Sequence, residues 1–159
     1  MSNCVIEAIN LNKNFSENSN IVEAVKNVSF TLGKSEIMII FGRSGSGKST
    51  LLYLLAGLET CSSGNIKFNT FNFEDLTLDE LASIRRSNIG FVYQFHHLIP
   101  EFSAIDNASF PLLLNGDTKE EAHVKAEDIL NNLDLAIERI INQINFLVVK
   151  DKELLLQEP

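Results

Sequence analysis

Residues 37–52 read Ile-Met-Ile-Ile-Phe-Gly-Arg-Ser-Gly-Ser-Gly-Lys-Ser-Thr-Leu-Leu, and no other stretch restricts the possible folds as tightly. The apolar run Ile37–Phe41 predicts a short buried strand. A loop with three glycines follows, and Leu51, Leu52, Leu54 and Leu55 predict the start of an apolar helix. Gly42, Gly47, Lys48 and Ser49 fit the G-x-x-x-x-G-K-[ST] pattern of a phosphate-binding P-loop. A Gly/Ser-rich surface loop could match that pattern by accident. It would not also need a strand before it and a helix after it, as the motif requires.

Each residue type has a chemical reason to be there. Gly42, Gly45 and Gly47 allow backbone conformations that a Cβ would block, so successive N–H groups can curl around a phosphate. Arg43, Ser44 and Ser46 fill the loop between them, and Thr50 continues it into the helix whose positive end faces the anion. Lys48 supplies a mobile ammonium for the β- and γ-phosphates of a nucleoside triphosphate such as ATP. The Ser49 hydroxyl suits Mg²⁺, a hard cation that takes oxygen ligands.

Length and charge narrow the class. At 159 residues the chain can bury a real core as one ordinary domain. No apolar run reaches membrane-spanning length, and Met1–Cys4 lacks the charged start of a signal peptide. Cys4 and Cys61 are too few for a disulfide framework, which reads as a reducing cytoplasm. A net charge of −8 argues against nucleic acid as a partner.

In chain order, Val5–Ile9 predicts a strand, followed by a polar turn from Asn10 to Asn20. Val22–Val25 and Val28–Leu32 alternate as half-buried antiparallel strands do. Phe15, the one large aromatic of the polar turn, is either a core residue at a loop edge, the plainer reading, or a stacking platform for a nucleobase. Gly57–Gly64 reads as a loop and Asn65–Asn69 as a short strand. Thr77 and Glu80 form a capping box, so Asp79-Glu80 is a helix-terminal pair, and Arg85-Arg86 reads as that helix's solvated end. Ile89–Tyr93 predicts a buried strand with Gln94 just beyond it. Pro100, Ser103 and Pro111 then punctuate short apolar pieces. Thr118 opens an amphipathic helix whose apolar face is Ala122, Val124, Ala126, Ile129, Leu130 and Leu133.

Strands before the P-loop, Leu-Leu-x-Leu-Leu-Ala-Gly-Leu after it, a strand ending in Gln94 and a helical insert together resemble the ATP-binding subunits of ABC transporters. The resemblance covers residues 1 to about 145. In Phe91–Asn107 it is similar to the lipoprotein-releasing branch. It implies an α/β fold: a P-loop NTPase core with an antiparallel strand layer and a helical subdomain, the C-terminal part of the core missing. The expected divisions are 1–94 for the core, 95–146 for the helical subdomain and 147–159 for an aberrant tail. By resemblance Phe15 stacks on adenine, although tyrosine is frequent there. Gln94 touches Mg²⁺ or the attacking water. The cofactors are ATP and Mg²⁺. The partners are integral membrane subunits (LolC/LolE-like) and a second ATPase subunit, at the cytoplasmic face of the inner membrane. His96-His97 lack a third metal ligand at useful spacing and read as a partner-facing loop.

That family hydrolyses ATP between two subunits, with a Leu-Ser-Gly-Gly signature, a metal-binding aspartate and a following glutamate. No Leu-Ser-Gly-Gly occurs here, and Leu154–Pro159 imitates the aspartate-bearing strand with Gln157 where the metal ligand belongs. Back-translated with permitted codons and read from the third base of the Leu147 codon, Leu147–Pro159 spells Ser-Gly-Glu-Arg-Gln-Arg-Val-Ala-Ile-Ala-Arg-Ala, the signature helix one glycine short. The tail from about Leu147 is therefore expected to be a frameshift product. Strands at Ile37–Phe41 and Ile89–Tyr93 should then expose unpaired, apolar edges.

Overall fold

Two long strands build the first half of the chain. The structure is a computed structural model that describes residues 4–17, 20–93 and 97–132. Gln94, His96, Leu133 and the tail 147–159 lie outside the described residues. Strand β1 (Cys4–Glu17) pairs antiparallel with β2 (Asn20–Gly33) on one side and with β3 (Ser63–Phe68) on the other. A two-residue β4 (Phe71–Asn72) completes a four-stranded sheet of order β2-β1-β3-β4. Helix α1 (Lys48–Leu55) follows the glycine loop, and α2 (Leu78–Asn88) follows β4 and a single 3₁₀ turn.

The polar turn expected from Asn10 to Asn20 is instead strand as far as Glu17. Side chain to backbone bonds tie it to the chain beside it. Asn12 Oδ1 accepts from Asn27 N–H at 2.8 Å, Ser29 Oγ from Asn10 N–H at 2.7 Å, and Ser62 Oγ from Asn14 N–H at 3.0 Å. The two short strands expected at 22–25 and 28–32 are likewise one strand, interrupted by an irregular register. Asn10 and Asn27 take φ +47° there, a conformation that asparagine tolerates better than most residues. The β1–β2 register shifts at four places, between Cys4 and Ile6, Ala8 and Leu11, Leu11 and Lys13, and Lys13 and Asn14, and pairing resumes beyond each.

The apolar core of this part lies between the sheet and the helices. Ile6, Leu11, Val25, Leu32, Ile66 and Phe68 are buried on the strands. Leu51, Leu54 and Leu55 are buried on α1, Leu81 and Ile84 on α2. The Thr77–Glu80 capping box forms as read: Glu80 Oε2 accepts from Thr77 N–H at 2.8 Å, and Thr77 Oγ1 accepts from Glu80 N–H at 3.3 Å.

Ile37–Phe41 departs from expectation. Among the described residues it joins no ladder, and neither does Ile89–Tyr93. A strand is defined by its neighbour's hydrogen bonds, so an apolar run alone does not make one.

The described residues divide into two compact units, 4–85 and 86–132. The second packs α3 (Ala104–Leu114) against α4 (Lys119–Asn132). The punctuated pieces expected around Pro111 are one helix, with Ser103 accepting from Asp106 N–H as its cap. Asn107 fastens the preceding loop: its side chain accepts from Ile99 N–H and donates to the carbonyls of Ile99, Phe102 and Ser103. On α4, Ala122, Ala126 and Leu130 are buried, whereas Val124 is 68% exposed. Val124 lies about 200° around the helix from Ala122, so it belongs to the opposite face. Ile129, at 36% exposed, borders the buried stripe.

Candidate nucleotide-binding site

Glycine at 47 is required by both conformation and space. Its φ is +89°, and a Cβ there would collide with the main-chain carbonyl of Ala24 on β2. The loop is therefore seated on the second strand, backbone against backbone. Gly45 also has positive φ, +77°, but faces open space, and a Cβ on Gly42 would clash with the Ser46 side chain and touch Lys48 Cδ at ordinary contact distance.

Helix α1 begins with Gly47 as its cap, and no side chain occupies the capping position. The first ring closes from Leu51 N–H to Gly47 O at 2.8 Å, so the N–H groups of Lys48, Ser49 and Thr50 remain unspent. Three donors at the positive end of a helix make an anion site. Lys48 Nζ lies over the loop, donating to Gly42 O at 3.1 Å and Arg43 O at 3.2 Å. Ser46 N–H donates to Arg43 O at 3.1 Å, which closes the turn. The Ser49 hydroxyl and the Arg43 and Ser44 side chains bond to nothing among the described residues. Ser49 thus fits an oxygen-loving cation such as Mg²⁺ at the edge of a phosphate cradle.

Phe15 is 38% exposed, so it is not the core aromatic of the plainer reading. It pairs with Val22 on β2, two residues from the Ala24 carbonyl that supports Gly47. The β1–β2 register therefore brings Phe15 near the glycine loop. Gln94 lies outside the described residues.

Two contacts escaped the sequence reading. Lys13 is nearly buried, its side chain 12% exposed, and Nζ donates to Glu59 Oε1 and to Thr60 O, both at 2.8 Å. That ammonium holds the Glu59 carboxyl below the usual carboxylate range. The signal in the sequence is the two-residue step from buried Leu11, which puts Lys13 on the inward face of β1. Arg85 is half-buried rather than solvated, and its Nη1 donates to Gly57 O at 2.5 Å. Gly57, at φ +64°, sits at the C-terminal end of α1 directly over Leu81. The four-residue step from Leu81 to Arg85 places both on the face of α2 that meets α1.

A glycine loop seated on an antiparallel layer, with a lysine over it and unspent helix donors behind it, defines a P-loop nucleoside-triphosphate-binding protein. The chain belongs to the ABC transporter family, whose sequence model matches residues 25–152. It is 41% identical over 135 residues to the lipoprotein-releasing system ATP-binding protein LolD of Buchnera aphidicola (strain APS), covering 85% of this chain and 59% of that protein. To LolD of Pseudoalteromonas translucida it is 43% identical over 136 residues, covering 86% and 59%. The chain thus spans about three fifths of the length of these relatives. Its structure is similar to the ATP-binding cassette MJ0796, solved as a dimer in a post-hydrolysis state with ADP and Pi: TM-score 0.79, 31% identity, 88% of this chain and 63% of that one. A second dimeric structure of MJ0796, described as a bacterial ABC transporter cassette, gives TM-score 0.76 and 34% identity, covering 81% and 57%. Family, P-loop core, antiparallel layer and helical subdomain agree with the reading of the sequence.

Proposed function

We propose that this chain is the ATP-binding part of an ABC transporter subunit of the lipoprotein-releasing type, working at the cytoplasmic face of an inner membrane with LolC/LolE-like membrane subunits. The observation that carries the nucleotide reading is Gly47. Only glycine fits between positive φ and the Ala24 carbonyl, and that seat leaves the α1 donors open to an anion. The transport role is supported by the likeness to two LolD proteins, and pairing of two ATPase subunits by the likeness to a dimeric cassette.

In this chemistry water attacks the γ-phosphate in line with the leaving oxygen, and the protein mainly positions and neutralises. The loop N–H groups hold the phosphates, Lys48 exchanges its two carbonyl partners for phosphate oxygens, and Phe15 stacks on the base. Ser49, with Gln94, would hold Mg²⁺, which neutralises charge on the phosphates.

Titration of ATP with Mg²⁺ into the purified chain tests the reading. Wild type should bind, whereas Lys48→Ala and Gly47→Val should not. Equal ATP affinity in wild type and Gly47→Val would place the site elsewhere. A second reading is a form that binds nucleotide without turning it over. Its mark is ATP binding with no hydrolysis above a Lys48→Ala control.

A further inference from the structure

We infer that Lys13 is a positioning residue for the base of the nucleotide, setting how well Phe15 stacks. The inference rests on the reading of Phe15 as the base platform and assigns a role to the charge behind it. Lys13 Nζ lies 4.9 Å from the centroid of the Phe15 ring, inside the range of a cation–π contact. The ammonium is not free to wander. It is held at 2.8 Å by the Glu59 carboxylate and at 2.8 Å by the Thr60 carbonyl, both in the loop that follows the P-loop helix. Lys13 and Phe15 stand two residues apart on one strand, so they share a face of β1.

Three consequences follow from this placement. The ammonium occupies one face of the ring, and Phe15 as a residue remains 38% exposed, so a stacked base would take the other face. A cation on one side draws π density towards itself. That lessens the repulsion between the ring's negative outer face and the π cloud of a stacked purine. Finally, the Lys13 tether joins the strand that carries Phe15 to the chain that leaves α1, so the base platform and the phosphate loop are fixed relative to each other.

The position is consistent with a nucleotide spanning the two. From Ala24, beneath Gly47, to Val22 is two residues, about 7 Å along the strand. Phe15 lies across the ladder from Val22, about 5 Å further. A triphosphate on the loop therefore has its base within reach of the ring.

Calorimetric titration with two probes separates base from phosphate: MgATP, and inorganic triphosphate with Mg²⁺, which has no base. Lys13→Met should weaken ATP binding about three- to thirtyfold, the range of a cation–π contact converted to affinity, and leave triphosphate binding unchanged. Lys13→Gln, which can still hydrogen-bond Glu59 and Thr60 but carries no charge, should show the same selective loss. Lys13→Arg should restore ATP binding. In a Phe15→Leu background, Lys13→Met should have no further effect on ATP. Equal losses for ATP and triphosphate, or an equal loss with and without the Phe15 ring, would make Lys13 a structural tether only and overturn the inference. Should Lys48→Ala abolish binding of both probes while Phe15→Leu changes neither, the phosphate site stands and the base platform falls, taking the role of Lys13 with it. If wild type binds neither probe, the nucleotide reading itself fails and the inference falls with it.

Discussion

Adding one methyl group at position 47 should cost more than at any other loop glycine. In Gly47→Ala the new Cβ must be carried at φ +89°, which disfavours an L-residue by about 1–2 kcal/mol. It must also displace the Ala24 carbonyl, a backbone atom of a paired strand that cannot swing aside as a side chain can. Overpacking of this kind typically adds about 1–3 kcal/mol. The combined loss is about 2–5 kcal/mol, a large share of the roughly 5–15 kcal/mol that holds a domain folded. In a chain of this size that lowers the melting temperature by roughly 4–20 °C. Gly45→Ala is the internal control: it has φ +77° but no heavy atom near its Cβ position, so only the conformational cost of about 1–2 kcal/mol applies. Gly42→Ala should be milder still, because only the Ser46 side chain must turn. Thermal melts of the three variants should rank in that order, and ATP titration should show the largest loss for Gly47→Ala. If Gly47→Ala melts within about 2 °C of Gly45→Ala, less than the shift expected for 1 kcal/mol, and binds ATP like wild type, the seat on Ala24 is not what shapes the loop.

Arg85→Met should destabilise the chain by about 1–3 kcal/mol, because it leaves the Gly57 carbonyl without its donor at the negative end of α1. A urea melt unchanged from wild type would refute that. The Asp106 carboxyl is held below its ordinary 3.8, first by the Ser103 hydroxyl and also by His123, so its contribution is present above pH 3.8 and lost as pH falls through the depressed value. Ser103→Ala should therefore lower stability at neutral pH and flatten the acid-range fall; an unchanged acid profile would contradict the assignment. Ile39, 62% exposed, is expected to drive self-association, so Ile39→Lys should improve solubility without lowering the melting temperature, and a cooperative loss of structure in that variant would refute this. Sequencing the coding DNA checks the tail: absence of the shifted triplets for Ser-Gly-Glu-Arg-Gln-Arg from the third base of the Leu147 codon ends the frameshift reading.

What was legible in the sequence was what neighbouring residues decide among themselves. The glycine loop running into α1 and the Thr77–Glu80 box depend on residues a few positions apart; the helix and the box form as read, while the strand expected before the loop does not. The same box recurs at Thr118 and Glu121, where Glu121 Oε2 accepts from Thr118 N–H at 3.0 Å. Contacts between distant residues were not legible. Lys13 meets Glu59 across 46 positions, and Arg85 meets Gly57 across 28. A lysine in a polar run and an arginine at a helix end look solvated until the partner is known. Polar composition misled for the same reason between Asn10 and Glu17. Asparagine and serine side chains can bond backbone on a neighbouring strand as readily as within a turn, and only the pairing decides which.

The run Ile37–Phe41 shows this limit most clearly. Ile37, Ile39 and Phe41 are 84%, 62% and 82% exposed, whereas Met38 and Ile40 are half-buried. That two-residue alternation is the signature of an extended chain with one face covered. The sequence, however, is apolar at all five positions, the composition of a strand buried on both faces. The structure thus accounts for every second side chain of the run and leaves the others exposed. Apolar side chains at Ile37, Ile39 and Phe41 have no local reason to be there: a strand with one solvated face would carry polar residues at those positions. The strand with an unpaired edge expected here is therefore not what forms: among the described residues the run joins no ladder, and three of its five apolar side chains are exposed.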